Sequence, residues 1–231
     1  MYYDLHIHSA LSPCSDDDMT VNNIVNMAYI KELDMIAITD HNSLKQLAYL
    51  PLIAKGKIRF VYGVEIQSRE EVHVLAYFLP NTILEPIQKF LDDYLIEEPN
   101  DEYYFGHQYI FNEKDEVIDQ ERRLLIKSLD LSLKDIISSI HQMKGIAVIA
   151  HALDQRFSIM NNMMTIDENL DFDGIEVSYL FQKDELIAQF PFLKDKMWFF
   201  NSDAHRLEMI SEPIHSMNEE EFFDLWRKRY G

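Results

Sequence analysis

The feature that most constrains this chain is a repeated pattern in which an apolar run ends in histidine or an acidic residue. The first run, Asp4-Leu-His-Ile-His, contains His6 and His8, which are separated by one residue. In a half-buried strand alternate side chains face the same side, so both imidazoles would point to one place. Later runs end in Thr39-Asp40-His41, Gly63-Val64-Glu65, Ile149-Ala150-His151 and Ser202-Asp203-Ala204-His205. A single His-x-His pair also occurs on surfaces and in cores, but the recurrence predicts one shared metal site.

The order of apolar runs and helical periods predicts an α/β protein. Residues 35–39 form a continuous apolar run bounded by charge, which is typical of a strand covered on both faces in a parallel sheet. Other strands are predicted over residues 2–8, 59–66, 72–78, 145–151, 174–179 and 197–203. Helices are predicted after the N-caps Thr20 and Ser132 and over residues 43–55, 83–96 and 218–230.

One strand is expected to run against the others. Only residues 66–72 separate Glu65 from His73, whereas a helical crossover needs about a dozen residues or more. The two strands are therefore predicted to form a hairpin that places both side chains at the same rim. About seven strands with intervening helices then predict a distorted (β/α)7 barrel resembling the TIM barrel, with the site at the carboxyl ends of its strands.

The chain of 231 residues suits a single domain over residues 1–231. Its least regular part, residues 97–131, is rich in charge and aromatic residues. We expect a small hairpin in this insertion, which would serve either as a lid over a pocket or as a plain surface excursion.

Charge and cysteine content constrain partners and compartment. Lys and Arg number 21 against 40 Asp and Glu, a net charge of −19, so the overall field is expected to repel long nucleic acid. A small phosphorylated substrate is expected instead, because bound divalent ions would make the pocket locally positive. The absence of a basic leader, of a long apolar run and of any cysteine besides Cys14 predicts a cytoplasmic chain without membrane contact. The sequence does not indicate the oligomeric state.

The candidate metal ligands share imidazole or carboxylate chemistry, which suits zinc, manganese or iron better than calcium or magnesium. They are His6, His8, one of Asp16 to Asp18, His41, Glu65, His73, His151, Asp203 and His205. One metal ion takes about four to six ligands, so this set predicts two or three divalent ions with a bridging carboxylate.

The ordered motifs resemble those of the polymerase and histidinol phosphatase (PHP) family. They are Asp4-Leu-His-Ile-His, Ile38-Thr-Asp-His, Gly63-Val-Glu, His73, Ala150-His and Ser202-Asp-Ala-His. The resemblance implies a distorted seven-stranded barrel with a di- or trinuclear site that hydrolyses phosphate esters. It implies one ion on His6, His8, Glu65 and Asp203, a second on Asp16, His41 and His205, and a third on Glu65, His73 and His151. Asp16 is preferred to Asp17 because its distance from Thr20 fits the family interval.

Three further residues are candidates for catalysis. A water bridging two ions would become a hydroxide positioned to attack phosphorus. Arg156, on the loop after His151, is the best-placed guanidinium for the phosphate oxygens, and Arg206 is the reserve; a surface ion pair is the alternative for either. Asp40 is expected to support a ligand or to give a proton to the leaving group, unless it points into the barrel wall.

These predictions favour a metal-dependent phosphoesterase acting on a small phosphomonoester, either a mononucleotide or a phosphorylated metabolite. The first alternative is an exonuclease or phosphodiesterase acting on short oligonucleotides, for which residues 103–105, Tyr-Tyr-Phe, could stack bases. A histidinol-phosphate phosphatase is an alternative by resemblance. A metal-stabilised module without catalysis is the remaining one, although such a module would be expected to have lost ligands.

Overall fold

The computed structural model describes residues 1–154 and 156–231, in which strands alternate with helices. The strands are β1 Tyr3–Ile7, β2 Met35–Ile38, β3 Arg59–Phe60, β4 Tyr62–Gln67, β5 His73–Phe78, β6 Tyr109–Phe111, β7 Val117–Gln120, β8 Ile146–Ile149, β9 Gly174–Glu176 and β10 Met197–Phe199. The α-helices are α1 Val21–Ile30, α2 Leu50–Ala54, α3 Glu85–Tyr94, α4 Glu102–Phe105, α5 Leu133–Gln142, α6 Ile159–Met163, α7 Leu180–Gln189 and α8 Glu219–Tyr230. Short 3-10 helices span Lys45–Tyr49, Pro191–Asp195 and Leu207–Met209. The α/β class is confirmed.

The strands form two main sheets and a separate hairpin. One sheet has the order β1-β2-β3, the other has the order β10-β9-β8-β5-β4, and β6 pairs with β7. Strand β5 runs antiparallel to both of its neighbours, whereas the other pairs within the two main sheets are parallel. The predicted hairpin around residues 66–72 is therefore confirmed.

The strand predicted over residues 59–66 divides in two. Arg59 and Phe60 pair with β2, while β4 pairs with β5 in the other sheet. The chain thus changes sheets at Val61, which local apolar pattern could not reveal. The helix predicted over residues 43–55 also divides, because Pro51 lacks a backbone N–H and stands in the first turn of α2, after the 3-10 helix.

The two sheets meet without forming one continuous ladder. Isolated parallel bridges join Ile7 to Ala204 and His41 to Glu65, one at each junction. Gly63 permits the second junction, because a Cβ there would lie 2.5 Å from Thr39 Cγ2. The structure thus has open sheets in contact where the sequence predicts a closed ring of hydrogen-bonded strands.

Helix α8 covers the amino ends of the strands. Trp226 Nε1 donates to the carbonyl of Lys144 at 3.1 Å, and the Tyr230 hydroxyl donates to the carbonyl of Gly145, immediately before β8. A core cluster joins α8 to residues from strands of both sheets, including Leu5, Met35, Leu75, Val148 and Phe199. The opposite, carboxyl ends of the strands are consequently left for the polar residues.

The insertion over residues 97–131 contains the expected hairpin, β6–β7, after the short helix α4. It is anchored to the main body by Gln46, whose side chain donates to the Phe111 carbonyl at 3.0 Å and accepts from the Phe111 N–H at 2.9 Å. Within the described residues no helix combines the length and the apolar character needed to cross a membrane.

Candidate metal centre

The strand ends bring together all predicted ligands except the aspartate predicted among residues 16–18. His6 lies in β1, Glu65 in β4 and His73 at the start of β5, which reaches the same rim because it runs in the opposite direction. His8, His41, His151, Asp203 and His205 lie just beyond the ends of β1, β2, β8 and β10. Short connections after each strand thus place these residues as the sequence predicts.

Glu65 lies at the centre of this cluster and is 1% exposed. Its carboxylate faces five imidazoles, at 3.4 Å from His6 Nε2, 3.3 Å from His8 Nε2, 3.1 Å from His41 Nδ1, 2.8 Å from His73 Nδ1 and 3.1 Å from His151 Nε2. No lysine or arginine of the described residues forms an ion pair with it. A buried carboxylate with many imidazoles and no fixed cation is an arrangement that suits metal binding.

Burial and neighbouring charges shift the pKa values of Glu65 and of His41 in this cluster. Burial would raise the pKa of Glu65, but the charges of His73, His6 and His41 outweigh it and hold this pKa well below its usual range. Burial and the charge of His8 lower the pKa of His41. The carboxylate is thereby kept ionised and at least part of the imidazole set neutral, the protonation states that metal ligands require.

Asp203 is the second carboxylate of the cluster. Its Oδ1 lies 3.2 Å from Nε2 of both His6 and His8. Asp203 has φ +51° and His151 has φ +25°, backbone angles that cost about 1 to 2 kcal/mol for a residue other than glycine. Two predicted ligands, Asp203 and His151, thus have backbone conformations that are unfavourable for their residue types.

The donor atoms fit the space that cations would occupy. Three groups have ligand atoms within 4.8 Å of one another: His8, His41 and His205; His6, His8 and Asp203; and His41, Glu65 and His73. His73 Nδ1 and His151 Nε2 also lie 3.2 Å apart beside the same Glu65 oxygen. In the described part of the chain, His151 Nδ1 is buried without a hydrogen-bond partner. His41 Nδ1 and Asp203 Oδ1 are also buried, and their close contacts with Glu65, His6 and His8 lack hydrogen-bond geometry. Unpaired buried donor atoms of these types are what a metal ion would satisfy.

Asp16 and Asp17 lie outside the three groups of ligand atoms. Asp16 donates its backbone N–H to the His205 carbonyl at 3.1 Å, but its exposed carboxylate lies 3.5 Å from Arg206 Nε. Asp17 pairs with His107 at 3.0 Å. A ligand role for Asp16 and a phosphate role for Arg206 therefore stay predictions, and each would require these side chains to move.

Asp40 is buried and does not line the cavity beside the cluster. Its carboxylate accepts hydrogen bonds from Ser9 N at 2.7 Å, Ser9 Oγ at 2.6 Å and Ser12 Oγ at 2.7 Å. Ser12 Oγ lies 3.0 Å from His8 Nδ1. Asp40 thus orients His8 through Ser12, which leaves His8 Nε2 directed at the carboxylates.

Glu176 belongs to the site and was missed in the sequence. Its Oε1 lies 3.0 Å from His6 Nδ1 and accepts the His151 N–H at 3.0 Å, while Asn201 Nδ2 donates to its Oε2. The carboxylate fixes the His6 ring so that Nε2 faces the cluster. The signal was present, since Gly174-Ile-Glu repeats the Gly63-Val-Glu pattern at a strand end.

A cavity of about 610 Å³ opens beside the cluster. The predicted ligands His41, Glu65, His73, His151, Asp203 and His205 line one part of it. Ile126, Leu153, Arg156 and Phe157 also line it. Of these, Arg156 has an exposed side chain with a positive charge. The arrangement can hold an anion between a guanidinium and a cluster of cations.

Comparisons with known proteins place this geometry in context. The family model described as PHP domain matches residues 4–188. No curated protein matches the chain. A protein of Bifidobacterium adolescentis described as a metal-dependent phosphoesterase is 15% identical with a TM-score of 0.68, covering 98% of this chain and 96% of its own. An amidohydrolase from Chromobacterium violaceum, solved with bound sulfate, is 19% identical with a TM-score of 0.66, covering 99% and 97%.

A complex of endonuclease Q with a 27-mer duplex, which has an abasic lesion at the active site, is also similar. It is 19% identical with a TM-score of 0.65, covers 89% of this chain, and is matched over 49% of its own length, so this chain spans about half of endonuclease Q. Identities this low establish a shared fold alone.

The expectation that long nucleic acid is excluded in favour of a small phosphorylated substrate is wrong. A protein of this fold holds duplex DNA at its active site. The reason is physical: net charge sums over the whole surface, whereas a phosphate responds to the local field, which arginines and bound ions dominate.

Proposed function

Because this chain belongs to the PHP family, whose members hydrolyse phosphate esters, we propose that it is a metal-dependent phosphoesterase that releases phosphate from a phosphomonoester. The observation that carries the proposal is the buried Glu65 carboxylate, which faces five imidazoles and has no lysine or arginine as partner among the described residues. A neighbouring cavity with a guanidinium gives room for a phosphate.

We propose that two or three zinc, manganese or iron ions bind at the strand ends. Glu65 would bridge two of them, since its two oxygens face different imidazoles. One ion would be held by His6, His8, Glu65 and Asp203, another by Glu65, His73 and His151, and another by His41 and His205, with Asp16 completing it if its carboxylate leaves Arg206.

Such ions would act as Lewis acids on the phosphoryl oxygens and would acidify a water molecule for attack on phosphorus. The residues of the chain supply position and charge. Arg156 would hold non-bridging oxygens in two parallel hydrogen bonds, with Arg206 as a second cation near the rim. Asp40 would keep His8 aligned through Ser12 and would not itself donate a proton to the leaving group.

We further infer that the two sheets act as one distorted seven-stranded barrel, with β3 and β4 counted as one strand, closed at the Ile7–Ala204 and His41–Glu65 bridges. In this single domain the insertion over residues 97–131 would serve as a fixed wall of the pocket. Asn42 supports that role, because its side chain donates to the carbonyls of Leu125 and Lys127, both at 2.7 Å, on either side of Ile126.

A second candidate function is phosphodiester cleavage in nucleic acid. The observation that favours it is the likeness to the endonuclease Q complex with DNA at its active site. Tyr103 and Tyr104 of α4 are 89% and 77% exposed and could stack on unpaired bases.

The test is metal-dependent phosphate release. The protein would be treated with chelator, reloaded separately with zinc, manganese or iron, and given a panel of phosphomonoesters and a labelled oligonucleotide. We expect at least one metal to restore phosphate release from a monoester. Oligonucleotide cleavage without monoester hydrolysis would favour the second candidate, and no chelator-sensitive reaction on any substrate would refute both.

A matched pair of histidine variants makes the test specific. His41→Ala removes a predicted ligand that contacts Glu65 and should abolish the restored activity. His215→Ala changes a histidine that stacks on Phe200 outside the cluster and should leave the activity intact. Equal loss in both variants would point to a general effect on folding.

A further inference from the structure

The cavity beside the metal centre has both polar and apolar residues in its lining. The predicted metal ligands are among the polar ones, and Ile126, Leu153 and Phe157 are apolar. These apolar residues come from the insertion and from the loop after β8. A charged phosphate gains nothing from contact with apolar side chains, so these residues would contact the remainder of the substrate.

Phe157 offers this surface as a flat ring. Its ring stacks on His73 with centroids 4.9 Å apart and planes inclined by 2°. One face of Phe157 is therefore covered by a predicted metal ligand. The side chain is nevertheless 37% exposed and lines the cavity, so its other face is open to a substrate.

The backbone holds Phe157 firmly in this position. Its carbonyl accepts the His73 N–H at 2.9 Å, and the next residue, Ser158, caps α6 by accepting from the Asn161 N–H at 3.1 Å. Phe157 has φ +54°, a conformation that costs about 1 to 2 kcal/mol for a residue with a Cβ. An exposed aromatic residue kept in an unfavourable conformation beside a reactive centre is typical of a functional constraint.

We propose that Phe157 is the platform on which a flat heteroaromatic ring of the substrate stacks, so that the substrate class is a phosphate ester bearing a nucleobase. This inference rests on the proposed phosphoesterase function. Arg156 precedes Phe157 in the chain and lines the same cavity, so adjacent residues can hold the phosphate and the ring of one nucleotide. Stacking of a base on an aromatic side chain contributes about 1 to 3 kcal/mol and tolerates any base.

A nucleobase next to a phosphate can come from a free nucleotide or from the end of a nucleic acid strand, and the experiment separates them. A nucleoside 5′-monophosphate is compared with ribose 5-phosphate, which differs only by lacking the base. A 5′-phosphorylated oligonucleotide is compared with the same strand carrying an abasic terminal residue. The pair with the larger base-dependent ratio of kcat/KM identifies the source.

For the preferred pair we expect the base to raise kcat/KM by about 5- to 100-fold. Phe157→Leu should bring this ratio towards one, whereas Phe157→Trp should retain it, since tryptophan keeps a flat surface. Phe181→Leu is the matched control, because Phe181 is an exposed phenylalanine of α7 that does not line this cavity. It should leave the ratio unchanged.

A binding measurement keeps the inference separate from catalysis. In chelator-treated Phe157→Trp, fluorescence of the new tryptophan should be quenched by the nucleoside monophosphate more than by ribose 5-phosphate, with the wild-type protein as background for Trp198 and Trp226. An unchanged ratio in Phe157→Leu together with equal quenching would overturn the platform. Base-selective quenching without phosphate release under any metal would refute the proposed function and leave the platform standing.

Discussion

Histidine and carboxylate residues cluster at both ends of the strands in the described part of the chain. At the carboxyl ends, the Glu65 carboxylate is surrounded by imidazoles. At the amino end of β9, His141 Nε2 lies 2.8 Å from Asp173 Oδ2, while Arg229 Nε donates to Asp173 Oδ1 at 2.7 Å. Arg229 also pairs with Asp171 at 2.9 Å. The residue types are shared, but among the described residues a permanent cation, Arg229, is paired in the second cluster and none is paired with Glu65 in the first.

This difference separates a structural cluster from a candidate site. In the second cluster Arg229 pairs with both carboxylates, so their charge is balanced without a metal ion. In the first cluster the partners of Glu65 among the described residues are imidazoles, which can give up their protons, whereas a guanidinium cannot. The identity of the counter-charge, rather than the presence of histidine and carboxylate, therefore indicates where metal chemistry is to be expected.

The largest expected effect comes from exchanging a carboxylate for an amide in each cluster. Glu65→Gln keeps the shape but removes the bridging charge, so we expect loss of bound metal and a fall in phosphate release of at least about 100-fold. Asp173→Asn should leave both unchanged. Elemental analysis and initial rates measure these outcomes, and a metal loss shared by both variants would remove the distinction between the clusters.

A smaller effect is expected when the support of one ligand is removed. Glu176→Gln weakens the hydrogen bond that orients His6, and we expect metal affinity or turnover to fall about 10- to 100-fold. Metal titration followed by calorimetry measures the affinity. Glu168→Gln, at an exposed loop position, is the matched control. Wild-type affinity in Glu176→Gln would show that His6 is oriented by packing alone.

The second cluster should respond in stability rather than in activity. Arg229→Met leaves the buried Asp173 carboxylate without its cation, which we expect to lower the free energy of unfolding by about 1 to 3 kcal/mol. Urea denaturation gives this value, and phosphate release by the folded variant should match the wild type. Loss of activity without loss of stability would reverse the roles assigned to the two clusters.

The smallest expected effect is a pH dependence confined to the first cluster of the metal-free protein. Burial lowers the pKa of His8, but its attraction to the Asp203 and Glu65 carboxylates outweighs this and raises the pKa to about 9. Since this folded-state pKa exceeds the unfolded value of about 6.5, the contribution to stability is fully present below pH 6.5 and is lost as pH rises through about 9.

His205 acts with the opposite sign. Burial and the charge of His8 lower its pKa to about 4, so stability falls as pH drops from about 6.5 towards 4. The two histidines together predict that the free energy of unfolding of the chelator-treated protein is greatest near neutral pH and declines by about 1 kcal/mol or more on the alkaline side. Denaturation across pH 5 to 10 measures this, with His8→Asn as the variant that should flatten the alkaline side.

Much of the site could be predicted because it depends on local pattern. Strand periodicity and the short connection between Glu65 and His73 dictate that strand-end residues meet at one rim, and the structure brings them within hydrogen-bonding distance. Asp16 differs, because an irregular polar loop offers no periodicity to say which carboxylate turns inward. Glu176 repeats the Gly-x-Glu pattern of Glu65 at a strand end, but it lies outside the ordered motifs that resemble those of the PHP family.

The sequence by itself determined the α/β class, the antiparallel hairpin and the set of metal-binding residue types, because these follow from periodicity and spacing along the chain. Tertiary structure alone decided that the sheets meet at single bridges, that Asp40 supports His8, and that Phe157 faces the cavity. It also decided which carboxylates receive an arginine. These outcomes depend on side chains from distant segments meeting in space, and neither local pattern nor net charge contains that information.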